Sequence, residues 1–283
     1  MTILVTGATG SVGRGVVDRL TGAGAAVRAT SRDPRSARLP DGVDVRAGDL
    51  SDPASFGDAL AGVEQVFLFP EPSGVDGFLE LAAAAGVWRV VLLSSAAISL
   101  PGAMANPVAL MHLSLEQAVE RSGLAHTFVR PGAFASNAFQ WAPAIKAGEP
   151  VRIPYAEASL APVHEGDIAA VAARVLLDED HRAQVHEVTG PESLTQRQQA
   201  ERLAQVLGRA VPVADLTGEE ALAEMEKRYA AIGVPGLAAA VVETLAAAVG
   251  SPAPVTRAVE EVTGRPARAF AEWAAENQAA FTA

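Results

Sequence analysis

The sequence predicts an α/β protein: a doubly wound parallel sheet with a smaller, mostly helical C-terminal part. Three observations carry that expectation. Short uninterrupted apolar runs alternate with amphipathic stretches through the first half, which is how parallel strands buried on both faces and joined by helices read. A glycine-rich turn, Gly7-Ala-Thr-Gly10-Ser-Val-Gly13, follows the first apolar run directly. The second half changes character, and from Thr217 onward it is alanine-rich and helical in pattern.

Taken in order, residues 3–6 are a short β-type run ending at Gly7, and 13–22 a helix with Val16, Val17 and Leu20 at core spacing. Residues 27–31, 43–47 and 65–69 are the next three strands. A helix over 77–85 is stopped by Gly86, and 89–94 is a fifth strand with Val90, Val91, Leu92 and Leu93 as its apolar body. Residues 107–122 read as a helix, 127–130 as a strand running into Pro131-Gly132, 162–177 as containing a helix, and 185–189 as a last strand. Thr195-Gln-Arg-Gln198 is a capping box, opening a helix that Gly208 closes, and Thr217-Gly-Glu-Glu220 reads as a second such start. The expected layout is a nucleotide-binding part over 1–150 and a smaller substrate-binding part over 151–283. Residues 160–190 or so return to the first part, and a cleft lies between the two.

Composition narrows the class. The chain has 283 residues, 49% of them hydrophobic and 19% charged, enough for one large or two small domains. With no cysteine, disulfide scaffolds, zinc–thiolate sites, iron–sulfur clusters and cysteine nucleophiles are excluded. A net charge of −11 argues against nucleic acid and anionic membranes as partners. No charged start precedes an apolar run, and stretches such as 237–249 are too short or too alanine-rich to span a bilayer, so a soluble cytoplasmic protein is expected.

The glycine turn is the most specific feature. Gly7 allows a tight turn, Gly10 lets backbone approach a pyrophosphate, and Gly13 lets the helix pack closely on the strand; Thr9, Ser11 and Val12 complete the cradle. The helix N-terminus offers free N–H groups and partial positive charge to the phosphates. This is a Rossmann-like dinucleotide site. At the end of the second strand Arg32 suits a 2′-phosphate. Asp33 is the alternative acid for a ribose hydroxyl, although it more naturally starts the Asp33-Pro34 turn; NADP is favoured over NAD. After the third strand, Asp49 can accept from an adenine amino group and Leu50 can cover the ring, and Asp49 can also cap its own turn. Phe69, at the end of the fourth strand, is a further expected cofactor contact.

These motifs resemble the NmrA-like group of atypical short-chain dehydrogenase/reductases, which includes NAD(P)H-dependent quinone reductases and triphenylmethane-dye reductases. Thr6-Gly-Ala-Thr-Gly-Ser-Val-Gly13, Ser31-Arg-Asp-Pro34 and Gly48-Asp-Leu50 match the group's cofactor signatures. Ser122-Gly-Leu-Ala-His-Thr127-Phe-Val-Arg130-Pro-Gly132 matches its "SGL-x-x-T-x-x-RPG" strand, and Thr263-Gly-Arg-Pro266 and Phe270-Ala-Glu-Trp273 are familiar further on. One departure matters. The wider superfamily uses a Tyr-x-x-x-Lys pair, but four residues after Tyr155 and Tyr229 stand Ser159 and Gly233. The resemblance places His112 at the lysine position and Val108 at the tyrosine position, within an "HLxxE" run ending at Glu116.

Hydride transfer needs a positioned nicotinamide, a stacked acceptor and charge stabilisation. Without the tyrosine acid, conjugated electron-poor acceptors such as quinones, iminiums and cationic dyes are favoured over simple ketones. His112 and Ser94 are the candidate catalytic residues, the histidine to bond ribose or donate a proton. Each also has a structural reading, as a packed histidine and as a cap. Pro131 and Gly132 are expected beside the nicotinamide, with Asn137, Phe139 and Trp141 lining a substrate cleft; core packing explains Phe139 equally well. His164-Glu-Gly-Asp167 has the look of a metal cluster, but fits better as a helix start with Asp167 as a structural acid, so no metal is expected. The leading expectation is an NADPH-dependent reductase of a small conjugated or aromatic molecule. A non-catalytic NADP-binding redox sensor is the alternative, and an epimerase or isomerase is disfavoured by the missing pair. Oligomeric state is open.

Overall fold

The computed structural model describes residues 1–282. In chain order its elements are β1 (Thr2–Val5), α1 (Ser11–Gly22), β2 (Ala26–Ser31), β3 (Asp44–Ala47), β4 (Gln65–Leu68), α2 (Val75–Ala84), β5 (Arg89–Leu93), α3 (Pro107–Arg121) and β6 (Ala125–Pro131). There follow α4 (Ala142–Ala147), β7 (Val151–Pro154), β8 (Ser159–Leu160), α5 (Glu165–Leu177), β9 (Gln184–Val188), β10 (Leu194–Thr195), α6 (Gln196–Leu207) and β11 (Val213–Leu216). The chain closes with α7 (Gly218–Tyr229), α8 (Leu237–Ala247), α9 (Ala258–Thr263) and α10 (Phe270–Glu276).

Seven strands form one all-parallel sheet in the order β3-β2-β1-β4-β5-β6-β9. Successive side chains of a strand point to opposite faces, and the cores follow that alternation. Ile3, Val5, Phe67, Val91 and Leu93 pack with Val16, Val17 and Leu20 of α1 and with α5. Leu4, Val66, Leu68, Val90 and Leu92 pack with Phe78 and Leu79 of α2 and Leu115 and Val119 of α3. Helix α1 lies close on α5: a Cβ built at Gly15 would come within 2.8 Å of the Ala169 Cβ. Because α5 and β9 both join this sheet, the chain leaves it after β6 and comes back. The strand order reverses between β1 and β4, and open α/β sheets place ligands at such a crevice.

A third core gathers Trp141, Ile145, Ile153, Leu203, Phe270, Trp273 and Phe281, and a fourth joins Ala158, Met225 and Leu245. Two small pairings lie in this half, β7 with β11 in parallel and β8 with β10 antiparallel. Sequence reading finds none of these four strands, because they are two to four residues long and β8 and β11 are mostly half-buried or exposed. The box at Thr195 is present in both halves: its hydroxyl accepts the Gln198 N–H and Gln198 reaches back. Thr217 is a correction. It precedes α7, but its side chain makes no capping bond, and Gly218 takes a left-handed φ of 55° that breaks the box geometry. No described helix is long and apolar enough to cross a membrane.

Candidate active site

The turn after β1 is built from glycines that meet different demands. Gly7 has φ +60°, and a Cβ there would lie 2.8 Å from the Phe69 ring. A Cβ at Gly13 would lie 2.2 Å from the Gly7 carbonyl oxygen, so Gly13 lets the helix settle on the turn rather than on the strand. At Gly10 the backbone is extended (φ −79°, ψ 166°), and a Cβ would find nothing nearer than that same oxygen at 3.4 Å. Neither conformation nor internal packing asks for glycine at this exposed position, so its missing side chain leaves room for something outside the chain. Helix α1 also starts without a side-chain cap and without an acidic residue in its first turn, which leaves its N–H groups and dipole for an anion. Thr6 ties the neighbouring strand in: its hydroxyl donates to the Phe67 carbonyl (3.0 Å) and accepts the Phe69 N–H (2.8 Å), holding Phe69 against Gly7.

A cavity of about 390 Å³ opens at the carboxyl ends of β1, β4, β5 and β6. The glycine turn (Gly7, Gly10, Ser11, Val12, Gly13) forms one wall, and Phe69, Ser94, His112, Pro131, Gly132 and Asn137 line the rest. His112 is 8% exposed, and its Nδ1 has no hydrogen-bond partner. Burial lowers its pKa to about 4, against an opposing pull from Glu116, so the imidazole is neutral at pH 7. Glu116, one helical turn on and almost wholly buried, accepts the Ser94 hydroxyl proton (2.5 Å) and a two-pronged contact from Arg130 Nε (2.8 Å) and Nη2 (2.5 Å). That contact holds the Arg130 guanidinium pKa up. Ser94 is therefore bonded to a carboxylate, while Ser95 caps the next segment by accepting the Ala97 N–H. Sequence reading misses the Glu116–Arg130 pair. Both residues stand in motifs of the resemblance, Glu116 in the HLxxE run and Arg130 in the strand ending at Gly132, but no spacing between the two motifs joins them.

The remaining expected residues divide. Arg32 is exposed at the end of β2 and makes no ion pair among the described residues. Asp33 accepts the Arg35 N–H (3.2 Å) and closes its own turn. Asp49 Oδ1 accepts from the Ser51 backbone (3.0 Å) and hydroxyl (2.7 Å), which lowers its pKa and leaves Oδ2 available. Leu50 is 8% exposed and packed in the α2–α3 core. Thr9 is exposed at the tip of the turn. Arg32, Asp49 and Leu50 lie outside the cavity lining, on the β2–β3 side of the glycine turn, with His112 on the other side.

Phe139 and Trp141 are corrections, since neither lines the cavity. The 3₁₀ segment Ala135–Trp141 turns Trp141 into the third core, where it is 3% exposed, and leaves Phe139 38% exposed at the edge of that core, packed on Trp273 (4.9 Å) and Phe281 (5.8 Å). In the His164–Asp167 run every polar group has a structural partner. His164 pairs with Glu276 (3.0 Å), Glu165 accepts the Ser136 N–H (2.8 Å) and Asp167 binds Arg268 (2.9 Å).

Comparison with known proteins follows the same lines. A protein-family model described as NAD(P)H-binding matches residues 7–180. The chain is 39% identical, over 99% of both chains, to a (4-alkanoyl-5-oxo-2,5-dihydrofuran-3-yl)methyl phosphate reductase of Streptomyces griseus. It is 37% identical, again over 99% of both, to an NAD(P)H azoreductase of Xenophilus azovorans. Among solved structures, an NADPH-dependent quinone oxidoreductase from Escherichia coli in complex with NADPH superposes with a TM-score of 0.82 at 26% identity, covering 98% of this chain and 99% of that one.

Proposed function

The chain belongs to this NAD(P)H-binding family, in the NmrA-like group of atypical short-chain dehydrogenase/reductases, and is an oxidoreductase using NADP(H); on that premise we propose that it reduces a small conjugated, electron-poor acceptor such as a quinone, an iminium or a dye-like cation. The observation that carries this reading is a cavity without a ready proton donor. Its one histidine is neutral, with a pKa of about 4, and its Ser94 proton is held by Glu116. An acceptor that takes hydride without simultaneous protonation suits such a site, and water protonates the product afterwards. A quinone leaves a delocalised, weakly basic phenolate, whereas a simple ketone develops a localised, strongly basic alkoxide and does not suit a site without an acid.

NADPH supplies the hydride. The residues fit it as follows. The glycine turn and the start of α1 hold the pyrophosphate, with the open side of Gly10 giving the approach. Arg32 meets the 2′-phosphate, and Asp49 Oδ2 accepts from the adenine amino group. His112 lines the cavity, and its ring would meet a ribose hydroxyl. Pro131 and Gly132 would flank the nicotinamide and Phe69, held against Gly7, would touch the cofactor, while Asn137 would face the acceptor. The relatives' activities, on an azo compound, a quinone and an unsaturated lactone phosphate, share a conjugated electron-poor acceptor and support the same class.

The test is NADPH oxidation with a naphthoquinone and with α-tetralone, a ketone of similar size. The quinone is expected to react at least ~10²-fold faster, about the lower end of what a positioned acid contributes. Comparable rates would mean that the site does contain an acid. Tight NADPH binding with no oxidation by any acceptor would favour the sensor reading.

A further inference from the structure

A second cavity, of about 450 Å³, shares no residue with the first. It is a groove over α5, between the last turn of α1 and the segment running from α9 to Arg268. Ala170 and Ala173 form a floor of small side chains, and four guanidinium groups, from Arg19, Arg174, Arg265 and Arg268, stand around it with a single carboxylate, Asp167. That is an unusual local balance for a chain of net charge −11.

Two of the four cations are already neutralised. Arg268 binds Asp167 through Nε (2.9 Å) and its backbone N–H (2.8 Å) and reaches Glu276 (3.3 Å). Arg174 pairs with Asp178 (2.9 Å). Arg19 and Arg265 pair with no carboxylate among the described residues, and Arg19 donates instead to the Gly15 carbonyl of its own helix (3.0 Å). Burial, and after it the neighbouring Arg268 charge, push the Arg19 pKa down against the opposing pull of Asp167 and Asp18.

We propose that this groove binds a small amphipathic anion, an apolar body carrying a phosphate, sulfonate or carboxylate group, with Arg19 and Arg265 holding the charged group and the alanine floor taking the body. A guanidinium fork matches the oxygens of such groups, and the volume lies within the range of small-molecule sites. The site is separate from the dinucleotide cradle, so the two ligands bind together.

The experiment is calorimetric titration of hexyl phosphate into the NADPH-saturated protein, with inorganic phosphate and hexan-1-ol as the two partial probes. Hexyl phosphate is expected to bind one-to-one and more tightly than either partial probe. Arg265→Ala, at an exposed position, and Arg19→Ala, checked for a native circular dichroism spectrum, should each weaken it by roughly 10- to 150-fold, the loss of one charge-assisted hydrogen bond. No binding tighter than about 10 mM, binding unchanged in both variants, or displacement of hexyl phosphate by NADPH would each overturn the proposal. Hexanoate and hexane-1-sulfonate in the same titration rank the three head groups.

Discussion

A methyl group added at Gly13 would sit 2.2 Å from the Gly7 carbonyl oxygen, whereas one added at Gly10 would have no neighbour nearer than 3.4 Å. The two glycines should therefore fail differently. Gly10→Val is expected to abolish NADPH binding in calorimetry while leaving the circular dichroism spectrum and urea midpoint native. Gly13→Ala should lower the midpoint itself, because backbone has to move. Retained NADPH affinity in Gly10→Val would remove the pyrophosphate from this turn. His112 makes a prediction about pH. Its folded pKa of about 4 lies below the ordinary 6.5, so between those values the unfolded chain binds the extra proton more readily. The stability owed to the neutral ring is complete above pH 6.5 and is lost as pH falls towards 4. At pH 4.5 that loss is about 2.5 kcal/mol, and His112→Gln should lack it. Urea unfolding of both proteins at pH 7.5 and 4.5 measures the difference, and His186, also lowered to about 4, contributes equally to each and cancels. Parallel acid sensitivity in the two proteins would contradict the buried, neutral histidine.

At the scale of elements, the two threonine-led helix starts separate what a motif says from what it does. Thr195→Ala should cost about 1 kcal/mol, the usual loss of an N-cap bond, and Thr217→Ala close to nothing, because only Thr195 makes the bond. Equal losses in thermal unfolding would mean that Thr217 caps in solution. The strands of the main sheet are legible in sequence for a physical reason. Val66, Phe67 and Leu68, or Val90 through Leu93, are covered on both faces and so spell unbroken apolar runs. Strands β7 and β11 carry exposed or half-buried positions within four residues, and no periodicity survives that length. The glycine turn is legible because the left-handed φ of Gly7, the close approach of Gly13 to the Gly7 carbonyl and the open side left at Gly10 each favour a residue without a side chain. The Ser94–Glu116–Arg130 arrangement is not, since it joins three elements through contacts that no local spacing encodes. Phe139 and Trp141 mislead for a related reason. Aromatic residues following the Arg130-Pro-Gly132 run show that something is buried, but the twist of the 3₁₀ segment decides on which side.

For the molecule as a whole, the last residues are structural. The Phe281 ring is fully buried against Phe139 and Trp273, and its carbonyl accepts from Arg209 (2.9 Å). Phe281→Ala should cost about 3–5 kcal/mol, as for other buried aromatics, and lower the midpoint of calorimetric unfolding. A loss under about 1 kcal/mol would show that the C-terminal turn does not hold the third core. The return of the chain to the main sheet also bears on synthesis. A ribosome that has released everything through β6 has made six of seven strands, yet α1 still presents Gly15 and its neighbours bare, and the outer edge of β6 has no partner. Both gaps close only when α5 and β9 emerge, and the outer side of α5 is covered later still, by α9 near the end of the chain. Until then the nascent chain carries an open sheet edge next to an uncovered apolar helix, the kind of surface that chaperones bind and that pairs between neighbouring chains on a polysome.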